Sequence, residues 1–134
     1  MRNTSRLLIE KDGKVLFFHR SKNGEEFYVI PGGKHEQGET PEMAAVREAK
    51  EETNFDVELG ELLWKISDDS KGETRQLFVF NVSSYTGEMQ LGGPEVRRNS
   101  KENSYKLVWV PKEQIKHLVI RPLGLMDKMK EKYG

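Results

Sequence analysis

The chain has 134 residues, 33% of them charged, and its 22 basic and 22 acidic side chains balance to a net charge of zero. That length suits one domain over residues 1–134 with a core of its own, and the neutral balance lacks the electrostatic footprint of a nucleic-acid binder. The absence of cysteine excludes disulfides, thiolate metal sites and a cysteine nucleophile. Met1 to Ser5 lacks the apolar stretch of a signal peptide, and no apolar run is long enough to cross a membrane, so the expectation is a cytoplasmic protein. In chain order, Ser5 to Ile9 and Val15 to His19 read as strands joined at Asp12-Gly13, a tight-hairpin signal. Phe27 to Ile30 reads as a third strand, stopped by Pro31-Gly32-Gly33. Thr40 can cap a helix that Pro41 opens, and the helix is expected over 41–53 with Met43, Val46, Ala49 and Thr53 as its buried stripe. Asn54 sits where a left-handed C-cap belongs. Phe55 to Glu58, Leu62 to Ile66 and Gln76 to Val82 read as strands, with a polar loop over Ser67 to Gly72 and a longer loop from about Gly92 to Asn103. Tyr105 to Val110 is a further strand, Pro111 a helix start, and Pro122 to Lys132 a C-terminal helix. This order points to a mixed sheet covered by helices.

The informative segment runs from Gly33 to Phe55. Glu48, Glu51 and Glu52 are spaced i, i+3, i+4, so on a helix of about 100° per residue their carboxylates share one face. Like charges so placed repel one another, and a hard cation such as Mg²⁺, Ca²⁺ or Mn²⁺ would relieve them. Taken alone, such a face is an ordinary solvated surface, and Arg47 with Glu51 an ordinary i, i+4 pair. The context sharpens it: Gly32-Gly33 follows a strand, where a bare backbone can approach a metal or phosphate, and Glu39 precedes the helix cap.

The segment resembles the Nudix box: Gly, five residues, Glu, seven residues, Arg-Glu, an apolar residue, any, Glu-Glu, any, Gly, apolar. Gly33, Glu39, Arg47, Glu48, Glu51, Glu52 and Phe55 match it, and Ile30-Pro31-Gly32-Gly33 is similar to its usual lead-in. Ala49 replaces a larger apolar residue and Asn54 replaces glycine; both changes leave the acidic residues untouched.

Resemblance to the Nudix (MutT-like) hydrolases implies an α/β (α+β) fold, an α/β/α sandwich with a mixed sheet. It implies metal-dependent hydrolysis of a diphosphate linkage in a nucleoside triphosphate or an ADP-ribose-like substrate. On that likeness Glu48, Glu51, Glu52 and the Gly33 carbonyl would hold Mg²⁺, or Mn²⁺, and Arg47 would orient the helix by pairing with Glu39 or another box carboxylate. Glu52 is the first choice for general base, with Glu95 and Glu102 as loop alternatives. Arg75, Glu95 and Glu102 are candidates for substrate contact, and Arg97 and Arg98 for terminal phosphates. His35, in the box loop, could touch phosphate but reads rather as an exposed loop histidine, and His19 takes no role. Trp64, Phe78, Phe80, Tyr105 and Trp109 could stack a base, but their places on strands favour the core. Dimers are common in the family. The competing reading is a non-catalytic Nudix-fold module that senses a nucleotide or binds a partner. A capped-RNA substrate is disfavoured by the zero net charge.

Overall fold

A computed structural model describes residues 3–70, 72–90 and 103–134. The strands are β1 (Thr4–Leu8), β2 (Glu10–Lys11), β3 (Lys14–Lys22), β4 (Glu25–Val29), β5 (Gly32–Lys34), β6 (Asp56–Ser70), β7 (Glu73–Thr86) and β8 (Asn103–Pro111). The helices are α1 (Pro41–Thr53) and α2 (Leu123–Tyr133), with a 3-10 helix over Lys112–His117. The expected hairpin at Asp12-Gly13 joins β2 to β3, and an Asn-Gly pair, Asn23-Gly24, joins β3 to β4. Asp12 and Asn23 take φ of 52° and 51°, which short polar side chains tolerate and tight hairpins require.

The mixed sheet is ordered β5-β1-β7-β6. β1 runs parallel to β7 and antiparallel to β5. A second, antiparallel sheet accompanies it, with β3 between β8 on one side and β2 and β4 on the other. The two stretches read separately at Phe55 to Glu58 and Leu62 to Ile66 are one strand, β6, whose pairing with β7 shifts register between Glu58 and Trp64. Bulges of this kind let a strand change phase without ending. β6 also continues through most of the loop expected from Ser67 to Gly72.

Strand alternation divides the core between two layers. Leu8, Val15, Phe17, Leu77 and Val79 pack with Ile115, Leu125 and Met129 from the 3-10 helix and α2. Leu7, Ile9, Leu16 and Phe80 pack with Ala45 and Ala49 of α1. These strands are covered on both faces, as a helix–sheet–helix sandwich demands.

The expected stripe of α1 holds at Ala49 and Thr53 and needs correction at Met43 and Val46. Met43 and Val46 are exposed, and the buried residues are Ala44, Ala45, Ala49, Glu52 and Thr53. Small alanines let the helix backbone approach the sheet closely. The strip between them is occupied by Glu48 and Glu52, so the inward face of this helix is half polar.

Candidate active site

Thr40 caps α1 by accepting a hydrogen bond from the Met43 N–H at 3.1 Å, and Pro41 occupies its first position. At the other end Asn54 takes φ 69° and ψ 10°, the left-handed cap. The carboxylates of α1 are thereby set against the short strand β5. Gly32 has φ of 148°, and a Cβ there would run into the Ser5 carbonyl oxygen. At Gly33 a Cβ would lie 2.5 Å from Cδ of Glu48. A side chain at Gly33 would displace that carboxylate from its place against the β5 backbone.

Arg47 organises the acidic groups. Its Nε and Nη2 donate to the two oxygens of Glu39 at 2.7 and 2.9 Å. Nη1 donates to Glu48 at 2.8 Å and to Glu51 at 3.1 Å, and Nη2 to the Lys34 carbonyl at 3.0 Å. Five N–H donors thus meet five acceptors, a match only a guanidinium can make. The bonds from Arg47, aided by the Glu36 N–H, hold the Glu39 carboxyl down at about 2. Glu39 in turn raises Arg47 above its already high value. Glu52, 4% exposed, accepts the Gly32 N–H at 2.8 Å.

Arg47, Glu48, Glu51 and Glu52 border a cleft of about 610 Å³. Its lining includes Glu36, Glu48, Glu51 and Glu52 with Gly32 and Gly33; the cations Arg6, Arg20, Lys34 and Arg47 and the residues Phe18 and Tyr105 also line it. Both signs of charge in one cleft suit a cation and an anionic ligand held together. Glu48, Glu51, Glu52 and the Gly33 carbonyl offer hard oxygen donors, the chemistry that Mg²⁺ and Mn²⁺ select. Among the described residues no three carboxylate or imidazole groups form a ready-made cage. Mg²⁺ does not ask for one: it keeps several waters and shares a few protein carboxylates with phosphate oxygens. The donor set and the cradle at Gly33 fit such an ion.

Arg75 stands in β7 opposite Asp68, 4.0 Å from Glu73, and does not line the cleft. Glu95, Arg97, Arg98 and Glu102 lie outside the described residues. His35 is buried, not exposed as its loop position suggested: its Nε2 lies 2.7 Å from the Ser5 hydroxyl and its ring stacks on Phe78. Burial lowers its pKa. Phe80 is buried, and Trp64, Phe78 and Trp109 pack against the core. Tyr105 departs from that expectation, because it faces the cleft with the Arg20 guanidinium 3.6 Å from its ring centroid. Sequence reasoning passed over Arg6, Arg20, Lys34 and Glu36. Arg6 and Arg20 lie in strands that carry no motif, and only strand alternation beside a buried neighbour could have pointed to them.

Comparison with known proteins gives this arrangement a lineage. The model of the NUDIX domain matches residues 1–128. The chain belongs to the Nudix family. Among the curated relatives of this Nudix chain, an ADP-ribose pyrophosphatase from Methanocaldococcus jannaschii is 38% identical over 89 residues, covering 63% of this chain and 52% of the relative. A CTP pyrophosphohydrolase from Escherichia coli K12 is 29% identical over 85 residues, covering 62% of this chain and 63% of the relative. The match therefore spans between about half and two thirds of each relative. The solution structure of the E. coli ORF135 protein superposes with a TM-score of 0.76 at 25% identity, covering 95% of this chain and 86% of that one. Among the described residues, no helix of the Nudix domain is long and apolar enough to cross a membrane.

Proposed function

We propose that this Nudix chain hydrolyses a diphosphate linkage in a nucleotide-type substrate with the help of a divalent metal, Mg²⁺ or Mn²⁺. The observation that carries the reading is the convergence of Glu48, Glu51, Glu52 and Gly33 on one cleft that also presents arginines and a lysine. The names of the two relatives, a pyrophosphatase of ADP-ribose and a pyrophosphohydrolase of CTP, support the same bond type.

Glu48, Glu51, Glu52 and the Gly33 carbonyl would hold the metal, whose chemistry when bound is to neutralise phosphate charge and acidify water. Arg47 keeps Glu48 and Glu51 turned toward one another despite their like charge. Arg6, Arg20 and Lys34 draw the phosphates into the cleft. Glu52 takes the proton of the attacking water, and its carboxylate is oriented for that by the Gly32 N–H. As water oxygen bonds to one phosphorus, the bridging P–O bond breaks and the second phosphate leaves. Positioning and charge neutralisation supply most of the catalysis in such transfers.

The test is a panel of nucleotides incubated with Mg²⁺ and analysed by chromatography: canonical and oxidised nucleoside triphosphates, ADP-ribose, NADH, diadenosine polyphosphates and a nucleotide sugar. The expected result is metal-dependent cleavage of one class, reduced at least about a hundredfold in Glu52→Gln. Nucleotide binding without cleavage of any panel member would overturn the hydrolase reading in favour of a sensing module. Turnover in Glu52→Gln within about threefold of the parent would reject Glu52 as base.

A further inference from the structure

We infer that Ser5, outside the box, is a positioning residue of the site, clamping with His35 and the Pro41 carbonyl the two ends of the loop that carries Glu39. Its kinetic consequence rests on the hydrolase reading; its structural consequence does not. Ser5 is fully buried in β1, paired in register with Gly33. Its hydroxyl has one proton, donated to the Pro41 carbonyl at 2.8 Å. A carbonyl only accepts, so His35 Nε2, 2.7 Å from the same hydroxyl oxygen, must itself carry a proton and donate it. One hydroxyl therefore ties the residue just beyond β5 to the first residue of α1.

His35 is fastened on two further sides. Its backbone N–H donates to the Asn3 carbonyl at 2.8 Å, and its ring lies 5.8 Å from Phe78 at an interplanar angle of 28°. Residues 36 to 40 are held between the two tied ends. Within that span Glu39 grips Arg47 through both oxygens, and Arg47 holds Glu48 and Glu51. The line from Ser5 to the carboxylates is thus continuous: clamp, loop, Glu39, Arg47, Glu48 and Glu51. An apolar residue would serve a buried strand position as well as serine does. A hydroxyl is favourable there only because both of its hydrogen bonds are made.

The experiment compares Ser5→Ala, His35→Leu and His35→Gln, the last keeping an N–H donor of similar reach. Ser5→Ala and His35→Leu are each expected to lower kcat about tenfold with KM within about twofold, since small displacements of a catalytic group act on the chemical step. In both, exchange of the Arg47 Nε–H proton with solvent, followed by NMR, should quicken. His35→Gln should keep kcat within about threefold of the parent and leave that exchange slow. The clamp is overturned if Ser5→Ala keeps both the parental kcat and the parental Arg47 exchange. It is equally overturned if His35→Gln and His35→Leu behave alike, the comparison that decides should Ser5→Ala fail to fold. If the parent cleaves no nucleotide, the hydrolase reading fails by itself, and Arg47 exchange still decides the clamp.

Discussion

At the scale of single residues, the pair Arg47–Glu39 decides how the acidic site responds to pH. The Glu39 carboxyl sits at about 2 in the fold against an ordinary 4.5, first because Arg47 donates to it and then because the Glu36 N–H does. A depressed carboxyl pKa contributes stability that is fully present above about 4.5 and is lost as pH falls toward about 2. Glu39→Gln removes the titration along with the charge. The parent protein should therefore lose more stability than Glu39→Gln as pH falls through that window, and the two should converge at its acid end. Urea midpoints measured across the window check this, and a gap that stays constant with pH would contradict it.

At the scale of the element, α1 shows where local rules hold and where they fail. Thr40, Pro41 and Asn54 mark its ends, because capping depends on a few adjacent backbone groups. Its inward face keeps Ala49 and Thr53 of the expected stripe but not Met43 and Val46, because that rule seeks large side chains and the real face combines alanines with Glu48 and Glu52. Asn54 bears the left-handed cap geometry, and its side chain also donates to the Glu88 carbonyl at 3.0 Å. Asn54→Ala should destabilise the protein by about 1 kcal/mol, because alanine tolerates positive φ poorly. Asn54→Gly should stay within about 0.5 kcal/mol of the parent, relieving the backbone while losing the side-chain bond. Chemical denaturation of the pair distinguishes the cap from a merely exposed helix end.

At the scale of the whole molecule, β1 joins the two core layers. It lies between β5 and β7, with Leu8 in the layer under α2 and Leu7 in the layer under α1. The same strand carries Ser5, and the cleft borders Arg6. Truncating Leu8 to alanine should cost about 2–5 kcal/mol, whereas the same change at Leu62 should stay within about 0.5 kcal/mol. Leu62 is 45% exposed and Leu8 fully buried, so equilibrium unfolding of the two variants tests whether the core is placed as described.

What the sequence determined by itself was local or strictly spaced. The bounds of α1, the turn at Asp12-Gly13 and the spacing from Gly33 to Phe55 follow from dihedral preferences, capping and helical periodicity, each legible within one or two turns of chain. Tertiary structure alone decided the rest. The parallel pairing of β1 with β7 joins residues some seventy positions apart, and no local preference encodes such a register. Arg20 and Tyr105 share the cleft because β3 and β8 pair antiparallel, directly opposing those two residues. His35 looked like a loop histidine because burial belongs to the environment and not to the residue. Ser5, Asn3 and Phe78 close over it only once β1, β5 and β7 have come together in one sheet.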